Sequence, residues 1–126
     1  MKLSVFLTIA AVLAFLFGLA FFLIPMQTVS LYGITLDPAA QFVPRYLGAT
    51  FLGVAVLNWL ARSAASSEAL RAILLGDFVL SALGLIVALW EKIAGEGNAL
   101  VWSTVVIYLF LTLGFGYFKF MKKAGS

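Results

Sequence analysis

The sequence predicts an all-α membrane protein: an antiparallel bundle of four transmembrane helices that forms a single integral membrane domain over residues 1–126. Of these residues, 64% are hydrophobic and only 10% are charged, whereas soluble domains have about 45–50% apolar and about 25% charged residues. Four apolar runs are each close to the ~20 residues that a helix needs to cross a bilayer. Short polar segments separate the runs, so these residues leave no room for a separate soluble domain.

The first helix is predicted over about 3–25, where no charge occurs between Lys2 and the helix-breaking Pro25. We expect a membrane span and not a cleaved signal peptide, because a signal-peptide core has only ~7–15 apolar residues. The following segment, 26–36, mixes polar and apolar residues. It is too short to cross and is therefore predicted to be an interfacial linker.

The second helix is predicted over about 38–61. Asp37 followed by Pro38 is typical of a helix start, with an N-cap carboxylate before proline at the first helical position. Pro44 lies in the first two turns and removes one backbone hydrogen bond. We therefore expect a bend near Pro44.

The third and fourth helices are predicted over about 70–90 and 99–118. A polar stretch, 62–69, precedes the third helix, and its length is typical of a turn between antiparallel helices. Gly95 and Gly97 mark the turn before the fourth helix, which ends in a lysine-rich segment.

The cations are distributed unevenly between the two sides of the predicted bundle. Arg45 and Lys92 fall on one side. The other side, formed by both chain ends and the turn between helices two and three, carries the remaining six: Lys2, Arg62, Arg71, Lys119, Lys122 and Lys123. Because cytoplasmic loops of membrane proteins carry an excess of Lys and Arg, both termini are predicted to be cytoplasmic.

The chain contains no cysteine and no histidine. Disulfides, thiol nucleophiles, Ser-His-Asp triads, His-ligated haem and the common zinc sites are therefore excluded. We expect a protein that is not an enzyme and has no cofactor or metal. The net charge of +3 reports membrane orientation and does not indicate a nucleic-acid partner.

Small residues recur at helical spacing in three of the predicted helices. Because lipid is as apolar as leucine, helices in a bilayer associate through close approach at such residues. The predicted packing positions are Ala10, Ala14 and Gly18 in helix one, Ala49 and Gly53 in helix two, and Gly84 and Ala88 in helix three. Replacement of Gly53 by Ile is expected to loosen the bundle.

Polar residues at membrane depth form the candidate site: Arg45, Asn58, Asp77, Ser81 and Thr112. Asp77 and Ser81 share one stripe of helix three, which we expect to face protein. A carboxylate in lipid costs at least ~2.5 kcal/mol, so Asp77 must be protonated, hydrogen-bonded or paired. Asn58 and Thr112 lie at a similar height, and the three could share one cluster in the cytoplasmic half.

Arg45 lies on a different face of helix two from Asn58 and too far towards the outer side to bridge to Asp77. Its expected partners are Glu91, Asp37 or a lipid phosphate. A structural, snorkelling role and a ligand-binding role both remain open for Arg45. The tryptophans and most tyrosines fall near helix ends, as interfacial anchors do, and only Tyr108 is placed mid-span.

Several short segments of the first half carry a family resemblance. They are Pro25 followed by Leu31, Tyr32 and Gly33, then Arg45, Tyr46, Leu47 and Gly48, and finally Leu52 and Gly53. In these the chain resembles small bacterial four-helix membrane proteins of the DUF4345 or DoxX-like kind. The resemblance implies a compact four-helix bundle and no assigned reaction. We expect an integral protein of the bacterial cytoplasmic (inner) membrane, in contact with membrane lipids.

Three functions are compatible with this pattern. The first is a non-enzymatic helical bundle that acts by packing, as a homo-oligomer or as an accessory subunit of a larger membrane complex. The second is a small ion or solute transporter or channel that uses Asp77 and Arg45. The third is a lipid- or quinone-binding module with a cleft beside Pro44.

Overall fold

The computed structural model describes residues 1–121; Lys122 and Lys123 of the predicted cytoplasmic side lie outside this part. Over residues 1–121 the chain is all-helical and has no strand. The α-helices in this part are α1 (Leu3–Leu23), α2 (Pro25–Ser30), α3 (Phe42–Ala61), α4 (Glu68–Ile93) and α5 (Val101–Gly116). A 3₁₀ turn, Pro38–Gln41, precedes α3, and a π-helical turn, Tyr117–Met121, follows α5.

Four helical segments are long and apolar enough to cross a membrane, as the sequence predicts: Leu3–Leu23, Pro38–Ala61, Glu68–Ile93 and Val101–Met121. The helix ends differ by a few residues from the predicted ones, most clearly in α4. The hydroxyl oxygen of Ser67 accepts a hydrogen bond of 3.2 Å from the backbone N–H of Leu70. This N-cap starts α4 at Glu68, two residues earlier than polarity alone indicates.

The first span ends at a break in the helix at Ile24. Pro25 has no N–H to continue α1, and Ile24 leaves the helical conformation with φ −132° and ψ 62°. The chain restarts at once as α2, whose buried Thr28 donates its hydroxyl to the carbonyls of Ala20 and Ile24, both at 2.8 Å. Part of the predicted interfacial segment is therefore helical. The carbonyls of Ala20 and Ile24 already accept backbone N–H groups, so the Thr28 hydroxyl adds a second contact that ties α2 to the end of α1.

The second span begins as a 3₁₀ turn and becomes α-helical at Phe42. Asp37 occupies the N-cap position before Pro38, but its side chain forms no capping hydrogen bond. Pro44 is the third residue of α3, where an N–H would have no acceptor within α3. The change of helix type thus lies two residues ahead of the expected bend at Pro44.

The long helices pack most extensively as two pairs, α1 with α3 and α4 with α5. Gly48 sets the closeness of the first pair, since a Cβ there would lie 2.5 Å from the backbone N of Phe22 and 2.8 Å from the carbonyl oxygen of Gly18. Ala49 and Gly53 are exposed, and a Cβ at Gly53 would meet nothing within 4 Å. The prediction that Gly53 packs within the bundle is therefore wrong.

The face of α3 that is buried carries Pro44, Gly48, Ala55, Asn58 and Ala61. The polar Asn58 lies on this buried face, which packs against α1 and, through Asn58, contacts Asp77 of α4. The face with Ala49 and Gly53 therefore points outward.

The two pairs meet tightly at one end of the bundle, in the Phe6 core. This cluster consists of Phe6, Leu7, Ala10, Ala61, Leu70, Leu74, Phe115 and Phe118. The ring of Phe6 lies 4.8 Å from that of Phe115 and 5.6 Å from that of Phe118, centroid to centroid. Gly114 of α5 is in close contact with the Phe6 ring, so a glycine admits the aromatic side chain there.

Candidate ligand-binding cavity

Next to the Phe6 core, which contributes Ala10 and Phe115 to the wall, the two helix pairs separate around a cavity of about 260 Å³. Residues from α1, α3, α4 and α5 and from the 29–34 segment line it. Most of the wall is aliphatic or aromatic, and the aromatic members are Phe17, Phe21, Tyr32, Phe51, Tyr108 and Phe115. A mainly apolar cavity with a few polar groups is the usual form of a small-molecule site.

One end of this cavity is polar, and the side chains of Asn58, Asp77 and Ser81 form it. Their exposed fractions are 1%, 6% and 3%. The amide Nδ2 of Asn58 donates a hydrogen bond of 3.3 Å to Oδ1 of Asp77. Asp77 Oδ2 and Asn58 Oδ1 are both buried and have no hydrogen-bond partner among residues 1–121.

The local sequence explains how these side chains come together. The buried stripe of α4 consists of Leu70, Leu74, Asp77, Ser81 and Ala88, which recur at the spacing of one helix face. The stripe predicted from Asp77 and Ser81 is thus buried against protein. A carboxylate that met lipid at this depth would cost ~2.5–3.5 kcal/mol, and the Asn58 amide from α3 offsets part of this cost.

The other end of the cavity is formed by Glu91, Tyr32 and Thr104. Glu91 follows Asp77 by 14 residues on α4, which places the two about 21 Å apart along the helix axis at ~1.5 Å per residue. The cavity is therefore elongated along α4. Near its middle the ring of Tyr108 lies against Gly84, where a Cβ would come within 2.5 Å of the ring.

Asn98 holds the two loops at the Glu91 end together. Its backbone N–H donates to the carbonyl of Tyr32 at 2.8 Å, and its side-chain Nδ2 donates to the carbonyl of Leu31 at 3.0 Å. Its Oδ1 accepts from the backbone N–H of Leu100 at 2.9 Å. Asn98 thus fixes the segment that carries Tyr32 over the start of α5.

Two of the predicted site residues lie away from this cavity. Arg45 is half-buried, and its Nε is buried without a hydrogen-bond partner in the described part of the chain. Neither Glu91 nor Asp37 supplies that partner. The hydroxyl of Thr112 is also buried without a partner within residues 1–121, so it does not join Asn58 and Asp77. Neither Arg45 nor Thr112 lines the cavity.

Sequence reasoning missed the roles of Glu91, Tyr32 and Tyr108 in the cavity wall. The sequence predicts Tyr32 as an interfacial anchor and Glu91 as one of three alternative partners of Arg45, beside Asp37 and a lipid phosphate. The spacing of 14 residues between Asp77 and Glu91 is close to four full helical turns, so both acids fall on one face of α4. That periodicity was a usable signal. No sequence pattern brings Tyr32 to the same cavity, because Asn98 positions it through a loop contact.

Over residues 1–121, fold and cavity together define a small all-helical protein, with four helices of membrane-spanning length and composition around a cavity. The chain belongs to the family described as domain of unknown function DUF8292, whose model matches residues 1–121. No curated protein and no solved structure shows a significant match to the chain. The family match does not link the chain to DUF4345 or DoxX-like proteins, so that resemblance stays a prediction.

Proposed function

We propose that the protein is a non-enzymatic integral membrane protein that binds a small amphiphilic molecule inside the bilayer. The observation that carries this proposal is the cavity of about 260 Å³ with two unpartnered buried oxygens, Asp77 Oδ2 and Asn58 Oδ1, at one end. This is the binding-module hypothesis, with the cavity between the helix pairs in place of a cleft beside Pro44.

The size and polarity of the cavity both favour occupancy. An apolar cavity of roughly 150 Å³ binds benzene, so 260 Å³ accommodates a ring with a short chain. A buried oxygen without a partner costs about 1–3 kcal/mol. A ligand that supplies a hydrogen-bond donor to Asp77 would remove this cost and fill the space between the helix pairs.

Binding can be tested with propylbenzene as the probe. We expect saturable shifts of the methyl resonances of Leu80 and Leu111, which line the cavity, in protein reconstituted in phosphatidylcholine nanodiscs. Val54→Phe should abolish them, because Val54 also lines the cavity. Val56→Phe is the matched control, since Val56 is 59% exposed on the same helix. Linear, non-saturating shifts in the wild-type protein, with propylbenzene and with polar analogues of it alike, would count against binding.

We further propose that the four spans form an antiparallel bundle in a bacterial inner membrane, with both termini cytoplasmic. The Phe6 core supports this arrangement, because it joins the start of α1 and α4 with the end of α3 and α5. Lys2, Arg62, Arg71 and Lys119 adjoin that end in sequence. Reporters active only in the cytoplasm should therefore work at both termini, and a silent carboxyl-terminal fusion would contradict the orientation.

A packing role, as a homo-oligomer or an accessory subunit, is the second candidate. Its supporting observation is that Gly53 and Gly76 are exposed and have open space where a Cβ would lie. Each follows an exposed alanine by four residues, Ala49 and Ala72, a spacing that favours helix association in membranes. Gly53→Ile should reduce the particle size in native-detergent sizing. A wild-type protein that is strictly monomeric, without a copurifying partner, would remove the support.

The transporter hypothesis is a separate prediction. It gains no support from the cavity, because Arg45 is not among the lining residues that include Asp77. A liposome flux assay with Asp77→Asn tests it, since wild-type flux that the variant loses would favour transport.

A further inference from the structure

The polar end of the cavity presents hydrogen-bond acceptors. The amide N–H of Asn58 is already committed to Asp77 Oδ1. The two atoms left without a partner within residues 1–121, Asp77 Oδ2 and Asn58 Oδ1, can only accept while Asp77 is ionised. A ligand that completes this end beside an ionised Asp77 therefore brings a donor.

The charged residues in the described wall of the cavity are all acidic. Asp77 and Glu91 line the cavity, and none of its described lining residues is a lysine or an arginine. Six aromatic rings face the same space, Phe17, Phe21, Tyr32, Phe51, Tyr108 and Phe115. Aromatic faces attract cations, most strongly where water is excluded. The electrostatics of the wall thus favour a positive ligand.

We propose that the cavity takes a lipophilic amine in its protonated form, with an ammonium N–H donated to the carboxylate of Asp77 and the apolar part among the aromatic rings. This inference rests on the proposed function, because it names the ligand class of the same cavity. Asp77 is the anchor in preference to Glu91, since Asp77 is 6% exposed whereas Glu91 is only half-buried, beside an exposed turn.

The same geometry disfavours two other lipophilic classes. A quinone offers only carbonyl acceptors, which would face the oxygens of an ionised Asp77 and of Asn58 without a donor between them. A fatty-acid carboxylate would in addition bring a second negative charge next to Asp77, and like charges in a low-dielectric site repel strongly. The quinone named among the sequence hypotheses is therefore a poor occupant of this cavity.

A matched series of probes tests the proposal. The probes are 2-phenylethylamine, 2-phenylethanol and propylbenzene, which share a ring and a two-carbon arm and differ only in the terminal group: ammonium, hydroxyl or methyl. Affinities are measured by the methyl-resonance titration in nanodiscs of zwitterionic phosphatidylcholine at neutral pH. In the wild-type protein the amine should bind at least about tenfold more tightly than propylbenzene, with the alcohol between them.

Substitution of single acidic residues tests whether the carboxylate of Asp77 is responsible for the preference for the amine. Asp77→Asn should weaken amine binding about tenfold and leave propylbenzene binding unchanged. Asp37→Asn is the matched control, because Asp37 is exposed and makes no capping bond, and it should leave all three affinities unchanged. The order of the three probe affinities is measured on the wild-type protein. It therefore decides the ligand class even if Asp77→Asn fails to fold.

The outcomes separate this inference from the proposed function. Saturable propylbenzene binding with no preference for the amine would overturn the inference and leave the binding cavity intact. A retained amine preference in Asp77→Asn would overturn the role of Asp77. Saturable binding by none of the probes would overturn the proposed function and this inference together.

Discussion

The Phe6 core and the cavity are built from the same four helices, yet one end is tightly packed and the other is hollow. In the Phe6 core, aromatic rings from α1 and α5 interlock, and Gly114 admits the ring of Phe6. In the hollow half, α3 and α4 contribute Asn58, Asp77 and Ser81, and a hydrogen bond of 3.3 Å joins Asn58 to Asp77.

The difference shows what holds a bundle of this kind together. Lipid competes equally with protein for apolar side chains, so helices associate where shapes interlock and polar groups pair. The Phe6 core meets the first condition. The Asn58–Asp77 pair meets the second only partly, because Asp77 Oδ2 and Asn58 Oδ1 have no partner in the described residues. Stability is therefore expected to reside in the packed end, and ligand binding in the hollow end.

The largest expected effect comes from removing the centre of the packed end. Phe6→Ala should lower the free energy of unfolding by about 3–5 kcal/mol, the cost of truncating a buried phenylalanine, since Phe6 is 1% exposed. Phe15→Ala, at a position 49% exposed on the same helix, should change it by under about 0.5 kcal/mol. Unfolding in mixed micelles measures both, and equal losses would contradict the contrast between core and lipid-facing positions.

Two glycines of α3 offer the next test. Gly48→Ala should cost about 1–3 kcal/mol, as overpacking does, because the new Cβ would meet the backbone of Phe22 and Gly18. Gly53→Ala adds the same methyl group where nothing lies within 4 Å. It should be neutral or stabilising by up to about 1 kcal/mol, from helix propensity. The same micelle unfolding assay compares them, and a loss at Gly53 equal to that at Gly48 would disprove this account of α3.

Composition and apolar runs predict the four spans well, because a helix is the simplest way to satisfy backbone hydrogen bonds in lipid. The burial of Asp77 and Ser81 is also predicted by the sequence, because polar residues at helical spacing on an apolar helix must face protein and not lipid. The spans and the buried stripe depend on the local spacing of polar and apolar residues and on the apolar surroundings that this composition requires. Both can be read directly from the sequence.

The remaining features depend on which helices are neighbours. The sequence offers two small-residue faces on α3, and only the contact with α1 at Phe22 selects the face of Gly48 over that of Gly53. Thr112 and Asp77 lie at similar predicted heights, but the rotation of α5 about its axis decides whether they meet. Residue spacing does not define that rotation, so the absence of Thr112 from the Asn58–Asp77 pair was not predictable.

An effect of similar size is expected at the polar end of the cavity. Asn58→Leu removes the donor to Asp77 and should cost about 1–3 kcal/mol, because it leaves a buried carboxyl group without its partner. Replacing both residues, Asn58→Leu with Asp77→Leu, should recover most of this loss. A double-mutant cycle then gives a coupling of roughly 0.6–1.7 kcal/mol. Additive single effects would mean that the pair contributes nothing to the hollow half.

The smallest effect is expected at the loops over the Glu91 end. Asn98→Ala removes the side-chain hydrogen bonds to the carbonyl of Leu31 and the N–H of Leu100, worth about 1 kcal/mol each. Because these bonds fix Tyr32 against the cavity, the amides of 31–34 should exchange with deuterium faster, while those around Phe6 keep their protection. Gln27→Ala, at an exposed position of α2, controls for loss of a surface amide. Faster exchange at both ends would show that Asn98 stabilises the whole bundle and does not act locally on the cavity.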